Sequence, residues 1–571
     1  MTTILARPVR ASRATPIYGV HAYHTKVPPE AIVPYLEHYL RPGGVCLDPF
    51  AGSGMTGVAA ALSGRRAILN DLSPAATHIA FNYTTPCDAS AFATSVQTLL
   101  NWSDPQIAPL YAASCPTCGG SATTEYVVWS DVRACPHCKS AVTVWDGFTR
   151  GGAVRALRCP SCAREFDKNA ARVIGERPVE VNLRCERCSG RAAIAVRPED
   201  LALTTQRRSD VPYWYPQVPF GPDWEMWRGG HRELGITEVA DFWSNRNLIA
   251  LSVLFEGVRR ERDERLRSAL LFAFTAIVNR ASRRYQWNAK RPTNVLGGTL
   301  YIASLRYEFN VLSLFRRKVR AITNYYRSVP LAQGVVTVTQ GSATDLRHVA
   351  DRSVDYCFTD PPFGANIYYA DASLMWESWL GSFTDRSLEA VVSRRRAGKG
   401  LVDYQDLMSR SFAEMKRCLR ADGLATVVFQ NTDETVWRAI QDAALDAGLH
   451  LLAASTLHKS QPSFKGVKAI QAGERVAASD VVLTLSPSPR RDLRAVTVAP
   501  EAEHVVREAL ASEILSASTT RLRSPAHLYA VAISALLDVG LDTTGWTFER
   551  VRELAGGIAH PIDQLSLGLG R

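Results

Sequence analysis

Residues 45–71, VCLDPFAGSGMTGVAAALSGRRAILND, carry the pattern that decides the fold. Val45 to Asp48 is an apolar run of strand type that ends on a carboxylate. Gly52 and Gly54 allow a tight turn and close approach of the backbone to a ligand, and Met55 to Ser63 reads as a helix of small residues. A second strand ends at Asp71, nineteen residues beyond Gly52, where a carboxylate can accept both ribose hydroxyls of a nucleoside. Strand, glycine turn, helix and strand form a βαβ unit, which predicts an α/β fold. Gly52 to Gly57 also satisfies the G-x-G-x-x-G fingerprint of dinucleotide enzymes, so the unit alone leaves its ligand open.

A second stretch narrows the choice. VDYCFTDPPFG, residues 354–364, reads as a buried strand ending in Asp360, Pro361, Pro362 and Phe363. Two prolines stop a strand ladder and fix an extended turn at the carboxyl edge of a sheet, where α/β proteins bind ligands. Asp360 supplies one acceptor, the Pro361 carbonyl a second, and Phe363 a flat surface. Such a loop suits a planar base with an exocyclic amino group, because both amino hydrogens can be bonded while the ring stacks. A dinucleotide oxidoreductase leaves this loop unexplained.

Together, DPFAGSG (48–54) and TDPPF (359–363) resemble the S-adenosylmethionine-dependent amino methyltransferases of DNA, in particular adenine-specific DNA methylases that contain a zinc ribbon. HAYHTKVPPEAI (21–32) is similar to the family's segment at the methionine end of the cofactor, IYYADASLMWESWL (367–380) to the segment after the catalytic loop, and LATVVFQNTDETVW (424–437) to a later core strand and helix. The resemblance implies a doubly wound, Rossmann-like methyltransferase sheet. It also implies S-adenosylmethionine held by His21, Tyr23, Lys26, Asp48, Pro49, Phe50, Gly52, Gly54 and Asp71, with Asp360, Pro361, Pro362 and Phe363 catalytic. Ser342 stands where many relatives have an acidic residue beside the cofactor's adenine. An Asp at the head of the catalytic loop favours adenine N6 as the target. Cytosine N4, an RNA amino group, and a catalytically silent zinc-dependent DNA-binding component are the alternatives.

Eight of the 12 cysteines form four Cys-x-x-Cys pairs: Cys115/Cys118, Cys135/Cys138, Cys159/Cys162 and Cys185/Cys188. Two such knuckles complete a tetrahedral four-thiolate zinc site, so two structural ions are expected. Sequence order suggests one site from the first four cysteines and one from the last four, with interleaved pairing as the alternative. Each half reads as a zinc ribbon, with TTEYVVW or VEVNLR as a strand.

The 571 residues, 46% hydrophobic and 21% charged, describe a folded chain of several domains rather than a disordered or coiled-coil protein. Asp360 lies 312 residues beyond Asp48, far more than a doubly wound sheet needs between its two ligand loops, so a large insertion is expected. The expected organisation is a cofactor half (1–90), two zinc ribbons (91–200), an aromatic and basic helical region (201–330), a catalytic half (331–490) and a helical extension (491–571). The net charge of +11 is concentrated: residues 259–330 hold 16 Lys/Arg against four Asp/Glu. There NRASRRYQWNAKR interleaves Arg280, Arg283, Arg284, Lys290 and Arg291 with Tyr285 and Trp287, read as cations for phosphates and aromatics for bases. DNA is the expected partner, with a nuclease or other component of a defence system such as restriction–modification as a further one. The N-terminus lacks a secretory apolar stretch and no run reaches the roughly 18–20 apolar residues of a membrane span, so a cytoplasmic protein without membrane contact is expected.

Overall fold

The computed structural model describes residues 17–147, 156–188, 190–197, 206–288, 298–365, 367–393, 398–429, 434–459, 479–488, 500–516, 525–539 and 545–567, together with 5, 9–11, 15, 395, 396, 541 and 543. The chain begins with β1 (Val9–Ala11), α1 (Pro29–Tyr39), β2 (Val45–Asp48), α2 (Met55–Leu62), β3 (Arg66–Asp71), α3 (Pro74–Thr84) and α4 (Ala89–Ile107). Next come β4 (Ala112–Ser114), β5 (Ser121–Ala134), β6 (Ala141–Thr143), β7 (Ala156–Arg158), β8 (Glu165–Asp167), β9 (Val173–Cys185), β10 (Arg191–Ala195), α5 (Asn245–Arg259), α6 (Glu264–Val278), β11 (Leu305–Phe309) and α7 (Val311–Ser328). The rest forms β12 (Val336–Gln340), β13 (Val354–Thr359), α8 (Tyr369–Leu380), α9 (Leu401–Cys418), β14 (Leu419–Phe429), α10 (Glu434–Asp446), β15 (His450–Lys459), β16 (Ser479–Ser486), α11 (Pro500–Ser516), α12 (Pro525–Asp538) and α13 (Phe548–Leu567).

The main sheet has eight strands in the order β1-β15-β16-β14-β13-β2-β3-β12. All run parallel except β16, which is antiparallel to β14 and β15. The central strands read as nearly continuous apolar runs because both faces are covered. In β2, Cys46 joins one hydrophobic cluster and Leu47 the other; in β13, Tyr356 and Phe358 face one side and Val354 and Cys357 the other. From β2 the chain steps outward to β3 and β12, then returns to β13 on the opposite flank of β2. The carboxyl ends of β2 and β13 therefore flank the point where the winding reverses, the position at which open α/β sheets hold ligands.

Residues between α4 and α7 build a second sheet, β10-β9-β5-β11, with β4 and β6 also paired to β5. The strands expected from TTEYVVW and VEVNLR lie in β5 and β9, which pair antiparallel. Because β11 pairs with β5, the stretches expected as 91–200 and 201–330 share one sheet. The C-terminal helices pack Leu510, Tyr529 and Ile533, and the segment before α13 packs Trp546, into the cluster that holds Trp437 and Ile440 of α10. Among the described residues, no helix is long and apolar enough to cross a membrane.

Charge, as well as apolar packing, joins β11 to the second sheet. The Arg306 guanidinium, 1% exposed, donates to Asp131 Oδ1 at 2.7 Å and to Glu176 Oε2. Arg133 reaches Asp131 at 3.2 Å, and Arg283 donates to Glu176. Burial would raise the Glu176 pKa, but Arg306 and Arg283 hold it below its ordinary value. A buried pair that loses one partner leaves an uncompensated charge, at a cost of about 3–5 kcal/mol. Arg306→Ala should lose that much in denaturant unfolding; a loss under about 1 kcal/mol would mean that water reaches the network.

Candidate active site and metal centres

One carboxylate fastens the two ligand loops together. Asp48, at the end of β2, is 4% exposed; its Oδ2 accepts the Thr56 hydroxyl of α2 at 2.6 Å, and its Oδ1 accepts the Phe50 amide at 3.2 Å and the Thr359 hydroxyl at 2.9 Å. Thr359 is the last residue of β13 and precedes Asp360. Burial raises the Asp48 pKa to about 6 despite these donors.

A cleft open to solvent lies above this junction. Tyr23, Lys26, Asp48, Pro49, Phe50, Gly52 and Asp71 line it from the N-terminal strands and turns, and Asp360 and Pro362 from the end of β13. Asp71 accepts the Gly52 amide at 2.7 Å on Oδ2 and the Ser73 amide at 2.9 Å on Oδ1, which leaves lone pairs on both oxygens for further donors. Burial raises its pKa to about 6 as well. Gly52 has φ of +50°, and a Cβ there would meet the Tyr23 ring at 2.9 Å. Gly54 lies outside the lining and serves packing: its φ is +78°, and a Cβ would strike the Ala80 backbone at 2.8 Å. The glycine turn is thus shaped both by backbone conformation and by its neighbours.

The flanking segment divides. Lys26, 6% exposed, donates to the carbonyls of Tyr18 at 2.9 Å and His21 at 3.0 Å and to the Tyr83 hydroxyl at 3.1 Å; burial lowers its pKa to about 7. His21 is outside the cleft. It is fully buried, stacked on Phe272 at 4.9 Å, with Nε2 3.1 Å from the Thr275 hydroxyl, so the expected cofactor ligand is a core histidine. Phe363 is also turned inward, packed edge-on against Phe429 at 5.2 Å, and does not present the expected stacking surface. Pro361 is buried beside it and off the lining, while the Pro362 carbonyl accepts the Tyr404 hydroxyl at 2.7 Å.

Several lining residues went unread in the sequence. Tyr369 stands within electrostatic reach of both Asp71 and Asp360, and burial raises its pKa. Thr384, Leu388, Glu389 and Ala390 form a further wall, and Ala343 and Thr344 line the cleft together with Ser342, the one residue of this group that the sequence pointed to. Glu377 joins this wall to the cofactor half, accepting the Ser73 hydroxyl at 2.6 Å, the Thr384 amide at 2.9 Å and the Thr384 hydroxyl at 2.6 Å; burial raises its pKa to about 7.

The cysteine knuckles pair in nested order, not in sequence order. Cys115, Cys118, Cys185 and Cys188 form one cluster and Cys135, Cys138, Cys159 and Cys162 the other, with the sulfurs of each within 4.8 Å of one another. The antiparallel β5–β9 pairing is the cause, because it lays the start of β5 against the end of β9. Sulfur–sulfur separations of 3.6–3.8 Å match the edge of about 3.8 Å that a tetrahedron of thiolates at about 2.3 Å from zinc requires. Both sets fit a structural ion.

Much of the basic stretch is spent internally. Arg284 is 5% exposed and donates to Asn279 Oδ1 at 2.5 Å and to the Thr299 carbonyl, while Arg283 pairs with Glu176 and donates to the Asp241 carbonyl at 3.0 Å. Tyr285 is buried between Tyr307 and Phe309, and Trp287 packs on Trp145 at 5.1 Å. Burial of Arg284 and Tyr285 removes them as phosphate and base contacts. Arg280 is half-buried, and Lys290 and Arg291 lie outside the described residues.

Residues 3–82 match the family profile N6_N4_Mtase, described as DNA methylase, a match that supports a methyltransferase. No curated protein matches the sequence significantly. Among solved structures, a complex of the Haloferax volcanii Trm112 methyltransferase activator with a methyltransferase is 12% identical, covering 30% of this chain and 69% of that one with a TM-score of 0.18. The antibiotic-resistance methyltransferase Kmr is 13% identical, with the same coverages and a TM-score of 0.15. The arsenic(III) S-adenosylmethionine methyltransferase of Chlamydomonas reinhardtii is 12% identical over 31% of this chain and 54% of that one, with a TM-score of 0.16. Likenesses this slight carry no argument about function.

Metal analysis should find two zinc ions per chain. Cys118→Ser and Cys185→Ser should each lose one, and the double variant still only one, whereas Cys118→Ser with Cys138→Ser should lose both. Loss of two ions from the Cys118/Cys185 pair would overturn the nested arrangement.

Proposed function

We propose that the protein is a DNA methyltransferase acting on an exocyclic amino group, most simply adenine N6, of a base swung out of its stack, on a doubly wound Rossmann-like sheet. The reading is carried by the Thr359–Asp48 hydrogen bond, which brings the DPFAGSG and TDPPF loops into one cleft. The cleft suits S-adenosylmethionine: Asp71 can accept its ribose hydroxyls, and Gly52 leaves room for close approach beside Tyr23. When bound, S-adenosylmethionine supplies a sulfonium methyl group.

The protein's part is alignment and charge stabilisation. An exocyclic amine is a weak nucleophile because its lone pair is delocalised into the ring. Asp360, which lines the cleft, accepts an amino hydrogen, which localises the lone pair as positive charge develops. The nitrogen–carbon bond forms as the sulfur–carbon bond breaks, and one amino proton leaves by way of Asp360 to solvent. Asp48 holds the two loops at the separation that in-line attack needs.

Two outcomes test this reading. Asp360→Ala should lower methyl transfer about 10²–10³-fold while cofactor binding persists, measured by mass spectrometry of nucleosides from treated DNA, which also separates N6-methyladenine from N4-methylcytosine. Retained turnover would sink the assignment. Asp71 binds a hydroxyl donor best when ionised, and its pKa is raised to about 6 by burial. Cofactor affinity should therefore be full above pH 6 and fall about tenfold per pH unit below it. In calorimetry, Asp71→Asn should bind about 10–100-fold more weakly with that pH dependence gone.

A further inference from the structure

We propose that DNA is held at the rim of the cleft by Arg228, Arg232, Arg386 and Arg395, gathered around Trp224 and Trp227, and not by Arg283 and Arg284, whose guanidiniums are engaged inside the fold. The proposal rests on the DNA methyltransferase reading and says where on this chain the polyanion lies.

All four guanidiniums converge on one short segment. Arg386 lies over the Trp224 ring at 4.5 Å and donates to the Asp223 carbonyl at 2.5 Å. Arg232 lies over the Trp227 ring at 5.2 Å. The Trp227 carbonyl accepts Arg228 Nη1 at 2.7 Å and Arg395 Nη1 at 3.3 Å. The patch adjoins the site directly, since Arg386 sits between Thr384 and Leu388, both of which line the cleft.

Charge compensation separates this patch from several arginines of the basic region 259–330. Arg283 and Arg306 are neutralised by Glu176 and Asp131, and Arg316 by Asp104. Among the described residues, none of the four rim arginines lies within 4.0 Å of a carboxylate oxygen, although Arg386 is within electrostatic reach of Asp371; those with polar partners donate to backbone carbonyls. Asp223, Glu233 and Asp385 are exposed carboxylates in the same segments, so the four arginines outnumber them by one; Asp385 accepts the Ser387 amide at 2.9 Å and hydroxyl at 2.6 Å. Guanidiniums seated over indole rings, as those of Arg232 and Arg386 are, lose less freedom when they grip a phosphate, and each keeps N–H donors to spare.

The rim is also rigidly tied to the chemistry. Arg396, next to Arg395, donates to Asp371 at 2.5 Å and to Glu389 at 2.7 Å and lies 3.5 Å from Glu225, and the Ser393 hydroxyl donates to Glu225. Glu389 lines the cleft, and Glu225 lies between Trp224 and Met226, whose amide binds Asp371 at 2.8 Å. A phosphate seated on the rim is thereby placed in a fixed relation to Asp360.

The test is anisotropy of a labelled duplex over a salt titration with the full-length chain. The variants are R386Q/R395Q, R232Q and, as a control on the C-terminal helices, R507Q. Cofactor calorimetry and melting temperature accompany each. We expect R386Q/R395Q to bind at least about tenfold more weakly near 0.1 M salt, with the slope of log K against log salt reduced by about 1.8, and R232Q by about 0.9. R507Q and all cofactor affinities should match wild type. If R386Q/R395Q loses melting temperature, R232Q, which is exposed, decides. Wild-type slopes in the rim variants, with methyl transfer to DNA intact in wild type, would overturn the patch and leave the methyltransferase standing. A wild type that binds cofactor but neither retains nor methylates DNA would remove the DNA reading, and the patch would then be a surface for an acidic protein.

Discussion

A carboxylate buried at the end of a β-strand is costly unless its lone pairs are filled, and the molecule is arranged around filling those of Asp48. Its donors come from three places: the turn it heads, the helix that follows, and a strand more than 300 residues away. Through that last donor, one hydrogen bond sets the separation of the two ligand loops. Everything between β3 and β12, including both cysteine clusters, is accommodated without disturbing that junction because β12 re-enters the sheet beside β3.

The insertion is more than a passenger. It reaches the cleft wall through Glu225 and Met226, which meet Arg396 and Asp371 in a cluster of three carboxylates around one guanidinium. With one cation for three acids, such a cluster holds only because backbone amides and a serine hydroxyl fill the remaining lone pairs. The raised pKa of Asp371, about 6, is the mark that burial leaves there.

What could be read from the sequence was what the backbone dictates locally. Glycines at 52 and 54 and prolines at 361 and 362 restrict conformation whatever surrounds them, so both loops and the strands before them were legible. Side-chain placement was not, because it is decided by distant partners. His21 is a core residue on account of Phe272 and Thr275, and Phe363 turns inward to meet Phe429. The basic stretch looked like a surface for phosphates because Glu176 and Asp131, which neutralise it, lie more than a hundred residues upstream. Knuckle pairing failed for the same reason: spacing along the chain says nothing of the β5–β9 register that chooses partners.

Nesting has a bearing on how the chain assembles. Cys138 and Cys159 are 21 residues apart, whereas Cys118 and Cys185 are separated by 67. Closing the shorter span costs less chain entropy, and once it is closed the longer one is effectively shortened. An ion held by the enclosed cluster would therefore shorten the span that the enclosing cluster must close to clamp the start of β5 against the end of β9.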